Sequence, residues 1–333
     1  MSLTLPRFLH APSRSGPRRH AYYYEQVLGT SLELSVVAER RSAAERAEAV
    51  VLAEVDRLEA ILSGWSPTSE LARWTMTYDT VQPVSPDLAD VLEACDAWRL
   101  RTGGAFDPAA QAIIAQLRDG ADEDALRVLL DALRGPRWNV DRTRGTARRL
   151  ATHLISVDAI AKGYIVTRAA ALARAVDGVR DVLLNVGGDV QHFGERPVAV
   201  GITNPFASAE NDAPIAMVRI HDAAIATSGG YRRGFLANGR RVSHIVDPRT
   251  GRPAERIASA SVFAPDCASA DALSTAFTVL SPHESVALAD TLVNVGCLLV
   301  ERDGTITTND SWNARAVAPR PVSTKESTDA RLS

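Results

Sequence analysis

Cysteine is scarce in this chain: Cys95, Cys267 and Cys297 are the only three in 333 residues, and they have no metal-like spacing. A chain this long buries enough apolar surface to need neither a disulfide nor a metal staple. No run of about 18 apolar residues occurs anywhere, which excludes a membrane-spanning helix. The start carries Arg7, Arg14, Arg18 and Arg19, yet the apolar run of about 7–15 residues that makes a secretory signal is absent. A cytoplasmic protein without membrane insertion is therefore expected. Basic residues show no excess: 37 Lys and Arg face 40 Asp and Glu, and the net charge is −3, so nothing argues for a nucleic-acid partner. Also missing is G-x-G-x-x-G, since Val186-Gly187-Gly188-Asp189 does not match the dinucleotide fingerprint. No repeat with a period of about 20–50 residues is visible.

What is present reads as mixed helix and strand. Glu25 to Ala38 alternates through Leu32, Leu34 and Val36 and predicts a strand. Ser42, with Glu45 three residues on, has the form of a capping box. It opens a helix whose stripe is Val51, Val55, Leu58 and Leu62. A second helix from Asp87 to Arg101 turns Leu88, Val91, Leu92, Cys95 and Trp98 inward and stops at Gly103-Gly104. A third, peripheral helix is expected over Asp122–Leu133, then a strand over Arg148–Val157. The helix after Asp158 should bury Ile165, Ala169, Leu172 and Val176. Val182–Val186 is nearly all apolar and predicts a strand covered on both faces. Further strands are expected at 197–203, 216–221, 224–228, 259–264 and 296–300, with a helix over Asp271–Leu280. Several consecutive strands without strict alternation with helices favour an α+β fold with largely antiparallel sheet. The segments 1–20 and 313–333 are expected to be a disordered arm and a disordered polar tail around one folded region, 21–312.

Three stretches carry candidate chemistry. Asp271 and Thr275 are four apart and stack on one helix face, a carboxylate and hydroxyl pair that suits a hard cation such as Mg²⁺. Equally, a first-turn Asp is stabilised by the helix dipole alone. Lys162 follows a turn at a helix start, where it would meet an anion beside free backbone amides or simply be solvated. His244 lies in Ser243-His244-Ile245-Val246-Asp247-Pro248-Arg249-Thr250-Gly251, as a proton handler or as part of a polar turn.

Taken in order, several blocks resemble the FAD:protein FMN transferase (ApbE) family. They are Leu28-Gly29-Thr30, Trp65-Ser66-Pro67-Thr68-Ser69-Glu70-Leu71, Thr102 to Pro108, Ala159-Ile160-Ala161-Lys162-Gly163-Tyr164 and Asn185-Val186-Gly187-Gly188-Asp189. Thr227-Ser228-Gly229-Gly230-Tyr231, His244 to Gly251 and Ala270-Asp271-Ala272-Leu273-Ser274-Thr275 complete the set. The resemblance implies a T-fold-related α+β domain made of two closely packed sub-units. It further implies Mg²⁺-dependent transfer of FMN from FAD to a Thr or Ser hydroxyl of an acceptor flavoprotein, releasing AMP. Under the same resemblance Asp271, Thr275 and the carbonyl of Ala159 hold the metal, and Lys162 meets the nucleotide. Leu28, Trp65, Glu70, Ala105, Phe106, Asp107, Asp158, Ser228 and Ile245 belong to the FAD site, and His244 and Asp271 to the reacting end.

The departures concern the same site. Leu28 stands where the family favours Met, and Trp65 where Tyr is common. Ser156 occupies a position usually held by Asp, with Asp158 two residues later as a candidate replacement. Gly230 replaces another carboxylate. The competing functions are an FAD pyrophosphatase, with water in place of the acceptor hydroxyl, and a flavin-binding protein without catalysis. Relatives are often exported lipoproteins, so the apparent lack of an export signal places the expected acceptor in the cytoplasm.

Overall fold

The computed structural model describes residues 16–207, 212–230, 234–237, 240–243 and 245–317. The chain opens with a hairpin of β1 (Arg18–Val27) and β2 (Thr30–Ala38) and continues into the long α1 (Arg41–Leu62). Next come α2 (Glu70–Thr75), β3 (Val81–Pro83), α3 (Pro86–Arg101), α4 (Ala110–Arg118), α5 (Glu123–Ala132), β4 (Trp138–Asp141) and β5 (Thr146–Arg149). Then α6 (Asp158–Arg174) leads to β6 (Val179–Val186), β7 (Asp189–Gly194), β8 (Val198–Ile202), β9 (Ala216–Ile220) and β10 (Ala223–Gly229). The last part holds β11 (Gly234–Ala237), β12 (Arg240–Ser243), β13 (Val246–Asp247), β14 (Arg252–Pro253) and β15 (Ile257–Ala264). It closes with α7 (Cys267–Phe277), α8 (Pro282–Asp290), β16 (Gly296–Glu301), β17 (Ile306–Thr308), α9 (Asp310–Asn313) and β18 (Ala316–Val317).

Eight strands form one sheet in the order β1-β2-β6-β7-β10-β15-β16-β17, and every neighbouring pair is antiparallel. Side chains alternate between faces along a strand, so β6 sends Val182, Leu184 and Val186 to one face and Leu183 to the other. The first face is covered by α1, α3, α6 and α7 in the main core. The second lies under the small sheet β18-β9-β8 and Trp312, in a separate core with Phe263, Ile225 and Val300. Cover on both sides is why β6 lacks polar alternation. A satellite core of Ala109, Ile113, Ile114, Leu133 and Val246 seats α4 and α5 at one end.

The α+β, antiparallel expectation is met, and the differences are local. Helix α1 starts at Arg41 with Arg40 as an N-cap lacking a side-chain bond. The Ser42–Glu45 capping box does not form, because Glu45 is held by Arg41 Nε at 2.8 Å. Of the strand expected over Arg148–Val157 only its first residues are paired, in β5. The rest is a loop, tied by the Ser156 amide to the Pro108 carbonyl at 2.8 Å. Leu172 is exposed, and the buried stripe of α6 runs instead through Ile165, Val166, Ala169, Ala170 and Ala173. Among the described residues the first strand starts at Arg18 and the last ends at Val317. Among the described residues no helix is long and apolar enough to cross a membrane. All three cysteines are free and buried.

Candidate active site

The site forms where α6 and α7 touch. A Cβ on Gly163 would lie 2.3 Å from the Cys267 carbonyl oxygen, so only glycine lets the two backbones approach this closely. That contact brings Lys162, on α6, beside Asp271, on α7. The helix α7 is capped by Asp266, whose carboxylate accepts the Ser269 amide at 2.8 Å. Asp271 is therefore not a capping residue: it lies a full turn inside the helix, buried at 6% exposure, and not on a solvent face. Lys162 likewise belongs to the second turn of α6, past the free amides of the helix start.

The third wall comes from a tight turn. Gly187 and Gly188 both have positive φ, +60° and +99°, as a two-residue hairpin between β6 and β7 requires. A Cβ on Gly187 would also meet Thr30 at 2.7 Å, which sets this turn against the Leu28-Gly29 turn of the first hairpin. The turn delivers Asp189 as the first residue of β7, where its carboxylate forms an ion pair with Lys162 Nζ. The Asp189 side chain is 3% exposed and that of Lys162 30%. Asp189 was not singled out from sequence as a functional side chain. The signal was a carboxylate closing a glycine turn at a strand start.

The electrostatics of this trio are unusual. Burial pushes the Asp271 carboxyl well above the ordinary carboxylate range, and the adjacent Asp189 pushes it the same way. Lys162 and the Gly163 amide offset part of that. Burial lowers the Lys162 ammonium, but Asp189 and Asp271 outweigh it and hold the group above its ordinary value. Asp271 Oδ2 is buried with no hydrogen-bond partner. A buried carboxylate oxygen left bare is costly, and a cation is what would satisfy it. The Gly163 amide that bonds Asp271 is the one helical geometry turns toward the Ala159 carbonyl. Ala159, in the first turn of α6, carries the carbonyl expected as the third oxygen. Thr275, one turn beyond Asp271, contributes a half-buried hydroxyl 3.2 Å from Ser228 Oγ on β10.

Among the described residues no group of three or more His, Cys, Asp or Glu side chains is arranged to hold a metal. A carboxylate, a hydroxyl and a carbonyl form a different set, all hard oxygen donors. Mg²⁺ characteristically takes few protein ligands and completes its shell with water and substrate phosphate. The residues present fit that ion.

The remaining expected residues are more widely spread. Gly64 lies against Asp158, a Cβ there being 3.4 Å from Asp158 Oδ1, and next to it Trp65 is 85% exposed. Glu70 faces elsewhere, accepting the Ser85 amide at 2.6 Å and so joining α2 to α3. Ala105 and Phe106 are buried in the helix-side core. Both Asp107 oxygens are taken, by Arg99, Arg137 and the Ala109 amide, so this carboxylate braces its turn. Leu28 is half-buried at positive φ. Ile245 is half-buried and its carbonyl accepts the Ala254 amide at 2.9 Å. His244 lies outside the described residues.

Comparison with known proteins identifies the family. The ApbE family profile matches residues 28–299. The FAD:protein FMN transferase of Rhodobacter capsulatus is 32% identical over 314 residues, which are 89% of this chain and 59% of that protein. This chain therefore spans less than two thirds of that relative's length. The FAD:protein FMN transferase of Treponema pallidum is 30% identical over 309 residues, 84% of each chain. The crystal structure of the ApbE protein of Thermotoga maritima superposes with a TM-score of 0.76 at 25% identity, covering 90% of this chain and all of the other. On the match to most of its length and on the shared fold, this chain belongs to the ApbE family.

Proposed function

We propose that the chain transfers the FMN half of FAD to a Thr or Ser hydroxyl of an acceptor flavoprotein, with Mg²⁺, and releases AMP. The acceptor oxygen forms a bond to the FMN phosphorus as the bond from that phosphorus to the bridging oxygen breaks. AMP carries away the electron pair, and the hydroxyl proton passes to a base. The observation that carries this reading is Asp271: buried, with one oxygen unsatisfied, beside Lys162, Asp189 and Thr275. Phosphoryl transfer asks mainly for positioning and charge neutralisation, and this cluster is built for both. Mg²⁺, held by Asp271, Thr275 and the Ala159 carbonyl, would offset charge on the pyrophosphate. Lys162 supplies a second cation held in place by Asp189. Trp65, exposed beside the start of α6, offers an aromatic face for stacking. His244 is assigned as base or phosphate partner. The relatives' name, FAD:protein FMN transferase, supports the same chemistry. The buried free cysteines suit the reducing cytoplasm, which we propose as the compartment.

The test is co-expression with candidate acceptor flavoproteins, followed by intact-mass measurement of the acceptor. A covalent FMN adduct that needs Mg²⁺ and disappears with Asp271→Ala is the expected result. FMN released from FAD at the same rate with and without acceptor, and no adduct, would instead make the chain a pyrophosphatase.

A further inference from the structure

Around Thr275 the hydroxyl groups form a chain whose proton direction can be worked out. Ser274 Oγ lies 3.0 Å from the Asp271 backbone carbonyl. A carbonyl only accepts, so the single Ser274 proton is spent there. Its 2.8 Å contact with Ser228 Oγ must then be donated by Ser228. That uses the Ser228 proton in turn. The remaining contact, Ser228 Oγ to Thr275 Oγ1 at 3.2 Å, is therefore donated by Thr275. With its proton turned into this chain, the Thr275 hydroxyl presents lone pairs on its other side, on the helix face it shares with Asp271.

We propose that Ser228 and Ser274 are positioning residues for the divalent cation. They fix the Thr275 hydroxyl as an acceptor, the only state in which it can ligate a metal. This rests on the reading of Asp271 and Thr275 as cation ligands. Ser228 then acts through Thr275 and not by touching FAD, unlike its expected role in the flavin site. Apart from Asp271, Ser274 is the one buried residue of this helix with a side-chain oxygen, the others being Cys267 and Ala, Leu and Phe side chains. Partners that orient a metal ligand matter about 10–100-fold in affinity elsewhere.

The test uses Mn²⁺ alone as the probe, with no FAD present, and follows free Mn²⁺ by its paramagnetic resonance signal. Wild type should bind, Asp271→Ala should not, and Thr275→Val should bind about tenfold more weakly. Ser228→Ala should match Thr275→Val, and Ser228→Thr should restore wild-type affinity. Ser274→Ala, which frees Ser228 to donate toward Thr275, should also weaken binding. The double variant Ser228→Ala/Thr275→Val should be no weaker than Thr275→Val, because both act through one ligand. Thermal melts of each variant report whether the fold is kept, and Ser228→Thr preserves the hydroxyl if Ser228→Ala does not fold. Wild-type affinity in Ser228→Ala beside a weakened Thr275→Val overturns the relay alone. So do additive losses in the double variant. Unchanged binding in both Asp271→Ala and Thr275→Val, or no uptake by wild type, overturns the cation site and the relay with it.

Discussion

Asp189 decides which partner Lys162 takes. The ammonium is held between two carboxylates but forms its ion pair with Asp189, leaving one Asp271 oxygen bare. Asp189→Asn removes that preference, and Lys162 then turns to Asp271 and competes with a cation for it. The expected outcome is a need for about tenfold more Mg²⁺ to reach half-maximal transfer, with FAD KM changing less. Losing a charged hydrogen bond of this kind also costs about 2 kcal/mol of stability, read as a shift in urea midpoint. An unchanged Mg²⁺ requirement would mean that Lys162 is fixed by its own packing. At this scale the sequence singles out Asp271 and Thr275 by their four-residue helical spacing and Lys162 by its place after a turn at a helix start. Asp189 is hidden because Gly187-Gly188 already explains its segment as a hairpin. Glu70 and Asp107 are expected in the flavin site, and in the structure Glu70 Oε1 accepts the Ser85 amide while Asp107 accepts from two arginines. Nothing in the spacing separates a bracing carboxylate from a binding one.

Two elements govern how the site is held. The first is the α6–α7 contact, where Gly163→Ala would drive a methyl into the Cys267 carbonyl at 2.3 Å. The obstacle is backbone, which has no rotamer to yield, so the helices must part. A loss of about 1–3 kcal/mol is expected in chemical denaturation, together with loss of Mn²⁺ binding. The second is the loop of residues 150–157 that carries the start of α6. His153 is held there with its Nε2 buried and unpartnered. Burial pushes its pKa down to about 4, with Arg137 and Arg149 adding to the effect and Asp107 opposing it. A histidine whose folded pKa is depressed takes up its proton first in the unfolded chain. Stability should thus fall as pH drops from about 6.5 toward 4. His153→Gln should flatten that part of the melting-temperature profile, and an unaltered slope would assign it to other groups. Long helices such as α1 and α3 were legible because their apolar residues recur with the helical period. The short strands β3 and β4 are not legible, and β5 only at its last residues, because three or four residues carry no period; the nine-residue α4 is missed as well.

Across the whole molecule, the antiparallel sheet sets elements from the two halves of the chain side by side. Strand β2 pairs with β6 through Leu32↔Val186 and Leu34↔Leu184, residues 154 and 150 positions apart. Such a pairing leaves no local trace, so the fold class could be read from the sequence but the strand order could not. What the order achieves is convergence. Residues 159–163 of α6, Asp189 of β7, Ser228 of β10 and Asp271 and Thr275 of α7 come from four separate elements and meet on one side of the sheet. A ligand that bridges them must then oppose unfolding of the whole domain, because the site does not survive the separation of any one element. At about 100 times its dissociation constant such a ligand adds about 2.7 kcal/mol to the folded state, on the order of 5 °C in a domain this large. FAD with Mg²⁺ should therefore raise the melting temperature of wild type by several degrees, as a single shifted transition. Mg²⁺ alone at saturation should give a smaller shift, and Asp271→Ala should abolish that shift. A split transition, with only part of the molecule stabilised, would show that the elements around the site unfold independently of the sheet that assembles them.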